Sequence, residues 1–278
     1  NLYNDYFDVT SGTDEANTEY FNAGMNSSML KGAQLSGGSR AVELGLITIK
    51  GTKSLANIMF VLGLLTAAGI LYTSYLNTGS TINAYYSSII ALTGILIGYF
   101  YTAKPIRLSS RYGLGEVSIF LAFGPLLTLG TGFAISNETI QLFSNEFYNL
   151  LVLGIPIGIL TTNILFINQY PDYTSDKKVG KNHLVVLLGK KASRWIYALN
   201  SAIALGSLYF ISENIVNDTQ SLLFMYLLIP ITIIYSFYLI SGLFKYYNSR
   251  ELIKYNIHTI YFHMFFSFVY MIILANFQ

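Results

Sequence analysis

Two short segments of this chain combine Asp and Asn residues at spacings that suit the binding of a cation. The segments, called here the first and second acidic motifs, contain Asn4, Asp5 and Asp8, and Asn168, Asp172 and Asp176. If residues 1–8 form the last turns of a helix, the three side chains of the first motif share one face. The second motif repeats every four residues, although Pro171 indicates that a helix bends or restarts there. Both motifs contain the pattern Asn-x-x-x-Asp, which suggests two related halves that face each other.

Carboxylates at this spacing repel one another unless a cation lies between them. A set of oxygen ligands without His or Cys favours a hard ion such as Mg²⁺, which keeps water ligands and shares phosphate oxygens. A diphosphate is therefore the expected ligand. Basic residues close in sequence are able to neutralise the negative charge that Mg²⁺ leaves on it. These residues are Arg40, Lys104, Arg107, Lys177 and Lys181. The alternative interpretation of the acidic residues is helix capping and solvation at a membrane interface.

The composition shows what kind of element must position these motifs. The chain has 278 residues, of which 53% are hydrophobic and only 11% are charged. Soluble proteins carry about 25% charged residues, so an ordinary soluble enzyme is excluded. The net charge of +2 gives no indication of nucleic-acid binding. The absence of Cys excludes thiol catalysis and Cys-ligated metals.

Seven apolar segments are long enough to cross a membrane as helices, which takes about 20 residues. They are residues 55–77, 82–101, 117–136, 147–170, 195–216, 221–244 and 255–277. Short connections such as Asn77 to Thr81 make neighbouring spans antiparallel. The sequence therefore predicts an all-α, polytopic transmembrane helical bundle. Within it, we expect kinks at Gly124-Pro125, Pro156 and Pro230, and close helix packing at Gly154 and Gly158.

The charges are distributed very unequally between the two sides of this bundle. All 16 Lys and Arg residues fall on the side that carries the acidic motifs, called here the basic side. The opposite side holds only Glu138, Glu146, Glu213 and Asp218, so the charge is +6 on the basic side and −4 opposite. The positive-inside rule predicts that the basic side is cytoplasmic and that the protein resides in the cell membrane.

The chain resembles the UbiA superfamily of intramembrane prenyltransferases, and within it the 1,4-dihydroxy-2-naphthoate polyprenyltransferase branch. Three segments carry the resemblance, namely NLYNDYFDVTSGTDEAN (1–17), YTAKPIRLSSRYGLGEVSIFLAFGPLLTLGTG (101–132) and TNILFINQYPDYTSDKKVGKNHLVVLLGK (162–190). The sequence departs from the family pattern at Gln169 and Pro171, and in the run Gly180-Lys181-Asn182-His183-Leu184. These departures do not change the acidic residues. They leave undetermined which acceptor is used and to which branch of the family the chain belongs.

The resemblance implies a fold of nine transmembrane helices with the first acidic motif at the end of the second helix. Residues 1–278 then form a single transmembrane prenyltransferase domain that lacks its first helix and most of the second, with seven complete spans. The implied metal ligands for Mg²⁺ are Asn4, Asp5, Asp8, Asn168, Asp172 and Asp176. The implied catalytic residues are Asp5, Asp8, Asp172, Asp176 and Lys104, and the implied diphosphate-binding residues are Arg40, Lys104, Lys177 and Lys181.

The implied activity is transfer of a polyprenyl group from its diphosphate to an aromatic quinone precursor through an allylic carbocation. The expected partners are the polyprenyl diphosphate, the aromatic acceptor and membrane lipid, without nucleic acid. A non-aromatic lipid acceptor such as geranylgeranylglyceryl phosphate, a non-catalytic membrane subunit and a secondary transporter are the alternatives. Glu116 is interpreted as a helix N-terminal carboxylate or as a base for the acceptor. We interpret His258 and His263 as polar packing residues, and His183 as an interfacial loop residue.

Overall fold

The structure, a computed structural model, describes residues 2–10, 41–42, 45–79, 81–216 and 218–275, without the side chains of Asp8, Asn77 and Thr78. Ten α-helices lie within these residues, and a short 3₁₀ helix spans Leu108–Ser110. The helices are α1 (Leu2–Thr10), α2 (Ile49–Thr78), α3 (Thr81–Phe100), α4 (Leu114–Phe123), α5 (Pro125–Ile135), α6 (Asn145–Asn168), α7 (Tyr173–Lys178), α8 (Leu184–Asn214), α9 (Thr219–Tyr246) and α10 (Leu252–Ala275).

The prediction of seven apolar spans is confirmed. Seven helical stretches of the described chain are long and apolar enough to cross a membrane, with α4 and α5 together forming one of them. Several begin at a side chain that accepts a hydrogen bond from a backbone amide of the first turn: Thr48 before α2, Ser144 before α6 and Asp218 before α9. No β-strand occurs in the described residues, and the fold class is therefore all-α.

Helix α6 is the centre of the bundle. It packs against α4, α5, α8 and α10, and it is the most buried of the seven spans. Its Gly154 and Gly158 lie against Gly124, where a Cβ atom on either α6 residue would meet backbone atoms at 2.6 Å. The prediction of close helix packing at this pair is confirmed, because any side chain there would force the helices apart.

The chain breaks its helices at three places, two of which lie near the second acidic motif. Gly124 has non-helical dihedral angles and separates α4 from α5, which begins at Pro125. The second break separates Asn168 from Tyr173, so that Pro171 lies in a turn as predicted. The third is a non-helical residue inside α8, Gly189 (φ 79°, ψ 152°). The last two breaks lie at the basic side and shape the surface that carries the second acidic motif.

Candidate functional site

The first acidic motif lies on α1, as the spacing predicts. The amide Oδ1 of Asn4 accepts a hydrogen bond from Thr102 Oγ1 at 2.8 Å. Tyr3 fixes the same helix against α2, since its hydroxyl donates to Asn57 Oδ1 at 2.6 Å. Asp5 follows Asn4 on the helix, whereas the side chain of Asp8 and all of Arg40 lie outside the described residues. The first motif is thus attached to the loop that follows α3.

The second acidic motif extends from the end of α6 through a turn into α7. Asn168 is the last residue of α6, and its Oδ1 accepts a hydrogen bond from Asn256 Nδ2 of α10 at 3.0 Å. Asp172 precedes α7, and Asp176 lies within it. The turn between the helices interrupts the stripe that an unbroken helix would form, so Asn168 and Asp176 lie on different helices.

Asp176 is buried and contacts two residues of the loop that follows α7. Its Oδ1 lies 3.7 Å from Lys181 Nζ, and its Oδ2 lies 3.1 Å from His183 Nε2. Lys181, a predicted diphosphate partner, thus lies beside a carboxylate of the second motif. His183 is 2% exposed, which corrects its interpretation as an interfacial loop residue. The imidazole is held inside because its Nδ1 also accepts from the Val186 amide and caps α8.

The loop of residues 101–113, called here the bridging loop, connects the two motifs. At its start, Thr102 donates to Asn4 of the first motif. At its end, the Ser110 carbonyl accepts from the Asn182 amide at 3.2 Å, and the Tyr112 amide donates to the Asn182 carbonyl at 2.9 Å. Because Asn182 follows Asp176 in the next loop, one short segment touches elements that carry both motifs. The motifs are thus attached to a common support.

Two predicted diphosphate ligands are exposed at the basic side. Lys104 lies on the bridging loop, and Lys177 lies on α7 with its Nζ 5.8 Å from the centre of the Tyr173 ring. Arg111 holds the bridging loop together, since its Nε donates to the Ile106 carbonyl and its Nη2 to the Pro105 carbonyl. Lys104 therefore lies on a segment whose conformation is stabilised by the hydrogen bonds of the Arg111 guanidinium group.

Glu116 joins three elements near the second motif. It is 4% exposed, in the first turn of α4, and its Oε1 accepts from Gln169 Nε2 at 3.1 Å and from the Leu184 amide at 2.9 Å. The Leu184 amide belongs to the first turn of α8. Glu116 thus connects α4, the turn after α6 and the start of α8. Of its two interpretations, the contacts favour a structural carboxylate.

Tyr170 is a further polar residue next to the second motif. Its ring is fully buried, and its hydroxyl lies 2.8 Å from Ser193 Oγ. Burial raises the pKa of the Tyr170 phenol, so the residue stays neutral at physiological pH. Tyr170 therefore supports the turn by packing and hydrogen bonding and does not act as an anionic base.

The histidines of the last span are packing residues, as predicted. His258 Nδ1 lies 2.8 Å from the Tyr235 hydroxyl, and His263 Nε2 lies 2.8 Å from Thr161 Oγ1. Their partners differ, so they do not form a chelating pair. Within the described part of the chain, no three His, Asp or Glu side chains are grouped closely enough to hold a metal by themselves.

Sequence reasoning did not find three contacts of this site, namely His183 with Asp176, Glu116 with Gln169, and Asn256 with Asn168. The partners of the last two pairs are 53 and 88 residues apart, so no local pattern connects them. For Glu116 the sequence does indicate that a partner exists, because a carboxylate at the start of an apolar span needs a hydrogen-bond or ionic partner if it is buried.

The sequence and the fold can now be compared with known proteins. The profile of the UbiA prenyltransferase family matches residues 1–269, so the chain belongs to this family. The solved structure of a UbiA homolog from Archaeoglobus fulgidus, bound to GPP and Mg²⁺, matches with a TM-score of 0.51 and 18% identity. The match covers 96% of this chain and 84% of that structure, and it shows a shared fold.

Three curated relatives are naphthoate or naphthoquinone prenyltransferases by name. The 1,4-dihydroxy-2-naphthoate octaprenyltransferases of Bacillus subtilis and Escherichia coli are 30% and 29% identical over 44% and 75% of this chain. The 2-carboxy-1,4-naphthoquinone phytyltransferase of Synechocystis is 33% identical over 45% of it. The matched regions span 37%, 58% and 38% of those proteins, respectively.

Proposed function

We propose that this protein transfers a polyprenyl group from its diphosphate to an aromatic, naphthoate-like acceptor in a reaction that requires Mg²⁺. The observation that carries the proposal is the bridging loop, which hydrogen-bonds to Asn4 of the first motif and to Asn182 beyond Asp176. It gives the two acidic motifs a common support at the basic side. The names of the curated relatives support the choice of acceptor.

The donor set fits Mg²⁺. We infer that the ion is held by oxygen atoms of the two acidic motifs: Asn4, Asp5, Asp8, Asn168, Asp172 and Asp176. Mg²⁺ retains water and shares phosphate oxygens, so it does not need a closed cage of protein ligands. When bound, Mg²⁺ stabilises the negative charge that develops on the departing diphosphate.

We propose that Lys and Arg side chains of the protein neutralise the rest of the charge on the diphosphate. In the proposed reaction the allylic C–O bond breaks, and its electron pair stays on the diphosphate. Lys104 on the bridging loop and Lys181 beside Asp176 are placed to stabilise that charge, with Arg40 and Lys177 as further partners. A ring carbon of the acceptor then attacks the allylic cation, and the ring loses a proton to restore its aromaticity.

An apolar groove beginning at the first motif suits the hydrocarbon chain of the donor. A cavity of about 400 Å³ is lined by Asn4, by the aromatic residues Tyr3, Tyr99 and Phe123, and by Gly94. A second, largely apolar cavity of about 330 Å³ shares Gly94 and Ala122 with the first. We propose that the hydrocarbon chain of the donor follows these two cavities from Asn4 along α3 and α5. The aromatic faces near Asn4 would stabilise a nearby cation.

The proposal places the chemistry at the cytoplasmic face of the cell membrane. Its support is the sequence prediction that every Lys and Arg of the chain falls on the basic side. A secondary transporter is disfavoured, because transporter carboxylates lie near the bilayer midplane, whereas Asp172 and Asp176 lie beyond the end of α6.

The test is prenyl transfer by the purified full-length protein, with octaprenyl diphosphate, dihydroxynaphthoate and Mg²⁺. We expect Asp172→Asn and Asp5→Asn to lower kcat by at least about a hundredfold, because each removes charge that holds the metal. Asp218→Asn is the matched control, because this carboxylate lies on the opposite side and Asn also caps helices. Unchanged transfer by Asp172→Asn would disprove the site. A panel of hydroxybenzoate, homogentisate and geranylgeranylglyceryl phosphate identifies the acceptor.

A further inference from the structure

A cavity of about 770 Å³ opens at the basic side between α7, the start of α8 and the loop that follows α9. Its wall includes Tyr173, Lys190, Lys191, Arg194, Trp195 and Tyr247. None of the described residues in its lining is Asp or Glu. The cavity is therefore strongly cationic, and the residues of the acidic motifs do not line it.

Arg194 is held rigidly in this wall. Its guanidinium carbon lies 4.6 Å from the centre of the Phe244 ring and 4.3 Å from that of Tyr247. Its Nη1 donates to the Phe244 carbonyl at 2.9 Å, and its Nε donates to the Lys191 carbonyl at 3.0 Å. A cation fixed in this way loses little conformational entropy when an anion binds beside it.

Lys190 and Lys191 add positive charge to the same wall. The Nζ atom of Lys190 lies 5.5 Å from the centre of the Tyr173 ring, and Lys191 is exposed. Lys190 and Lys191 directly follow Gly189, where the helical backbone of α8 is interrupted. Cations at the start of a helical segment oppose its dipole, so these lysines do not stabilise the helix. They instead add positive charge to the wall of the cavity.

The depth of the cavity in the membrane follows from the length of α8. Residues 195–214 form about 30 Å of helix, which matches the hydrocarbon core of a bilayer. Lys190, Lys191 and Arg194 then lie at the level of the lipid phosphates. Trp195 is 67% exposed at the boundary, where Trp residues are enriched. The cavity opens towards the layer in which anionic headgroups reside.

We propose that this cavity is a binding site for the phosphate headgroup of an anionic membrane phospholipid, separate from the site of prenyl transfer. Arg194 and the lysines bind the phosphate, while Trp195 and Tyr247 contact the glycerol and the first part of the acyl chains. Basic pockets between helices on the cytoplasmic side are suited to such headgroups. A free phosphate has the same chemistry but would not need the exposed Trp195.

Trp195 also provides the measurement, because it is the only tryptophan in residues 1–278, and any tryptophan outside them is replaced by phenylalanine. The full-length protein is reconstituted in phosphatidylcholine with a small fraction of brominated phosphatidylglycerol, or with brominated phosphatidylcholine as the comparison. Bromine quenches the fluorescence of Trp195 when the lipid is adjacent. We expect quenching by brominated phosphatidylglycerol to exceed that by the neutral lipid severalfold. Equal quenching by the two lipids would overturn the proposal.

The double variant Lys190→Gln/Lys191→Gln tests the site itself. Each lysine at the surface contributes about a fivefold preference for an anionic lipid, so removing both should abolish a severalfold preference. The matched control is Lys50→Gln/Lys254→Gln, which removes two exposed charges from the same side without touching the cavity. We expect this control to keep the preference. An equal loss in both variants would show general attraction to the membrane and would refute a defined site.

A last experiment distinguishes binding of a lipid headgroup from binding of a soluble phosphate or diphosphate. Inorganic phosphate and diphosphate are added in excess to the brominated phosphatidylglycerol sample. We expect the quenching to persist, because a soluble anion lacks the acyl chains that keep the lipid at the site. Full reversal by diphosphate would assign the cavity to a soluble anion and overturn the proposal. The measurement needs no prenyl transfer, so it is independent of the proposed function.

Discussion

The Nε2 atom of His183 lies 3.1 Å from the Oδ2 atom of Asp176, and both side chains are buried. The other ring nitrogen, Nδ1, accepts the backbone amide of Val186 and therefore carries no proton. Nε2 must then bear the hydrogen and donate it to the carboxylate. A neutral imidazole thus satisfies both contacts at once, and it fixes the orientation of a carboxylate that we propose binds Mg²⁺.

Two substitutions separate the capping role of His183 from its contact with Asp176. We expect His183→Asn to keep the cap of α8, since Asn is a favoured N-cap, but to release Asp176 because its side chain is shorter. The concentration of Mg²⁺ that gives half-maximal prenyl transfer should rise by about tenfold or more, as is typical when a residue that supports a metal ligand is lost. A titration with Mg²⁺ at saturating prenyl diphosphate measures this.

His183→Ala removes both the cap and the contact, so it should also lower the temperature of unfolding. If only His183→Ala lowered stability and both variants left the Mg²⁺ requirement unchanged, the side chain would be only a helix cap.

The sequence predicted the helices of this fold well because each span is an uninterrupted apolar run of about 20 residues or more, which is the length of a membrane-spanning helix. Pro171 also marked the break in the second motif, since proline cannot continue a helix. The contacts of Asp176 were predicted only in part. Lys181 was predicted as a diphosphate partner because it is near in sequence, whereas His183 was interpreted as an interfacial loop residue and is buried.

Contacts between distant elements were beyond sequence reasoning for a physical reason. The pairing of Glu116 with Gln169 depends on how α4 packs against α6, and that packing is set by the shapes of many side chains together. The same holds for Asn256 and Asn168 on α10 and α6. A single sequence records which residues are polar within apolar spans, but it does not record which of them meet.

Glu116 provides a test between a structural and a catalytic carboxylate. Its Oε1 accepts from Gln169 and from the Leu184 amide, and a glutamine oxygen can accept the same two hydrogen bonds. We therefore expect Glu116→Gln to fold and to retain most of its activity. Glu116→Ala should reduce stability by about 1–3 kcal/mol, because it leaves a buried amide without an acceptor.

The measurements are kcat for Glu116→Gln and the unfolding midpoint of both variants. Loss of a general base lowers rates by about 10²–10⁴-fold. A decrease of that size in Glu116→Gln, with unchanged stability, would restore the interpretation of Glu116 as the base that deprotonates the acceptor.

Arg111 tests whether the shape of the bridging loop matters for diphosphate binding. Its guanidinium donates to the carbonyls of Pro105 and Ile106 at 2.9 and 2.8 Å. Lysine keeps the charge but lacks the planar fork that reaches two acceptors together. We expect Arg111→Lys to raise KM for the prenyl diphosphate by about tenfold, nearly as much as Arg111→Ala, because Lys104 loses its fixed support.

Steady-state kinetics at saturating Mg²⁺ measure this effect, with Arg250→Lys as a control at an exposed site of the same side. Full activity in Arg111→Lys would show that charge alone is required and that the hydrogen bonds to the loop are not.

Gly94 tests the proposed path of the prenyl chain. It lines both apolar cavities, and a Cβ atom on it would meet nothing within 4 Å. A side chain can therefore begin at this position without a clash, and that of phenylalanine would extend into the region that the two cavities share. We expect Gly94→Phe to lower kcat/KM for octaprenyl diphosphate by about tenfold or more, while geranyl diphosphate, which has only two isoprene units, is affected less.

The control for Gly94→Phe is Gly69→Phe, which makes the same change in α2. A Cβ at Gly69 also meets nothing within 4 Å, and this residue lines neither cavity. It should transfer both donors as the natural sequence does. An equal loss for both donors in Gly94→Phe would mean that the region shared by the two cavities lies against the reacting end of the donor. Unchanged rates for both would mean that the chain leaves the first cavity by another route.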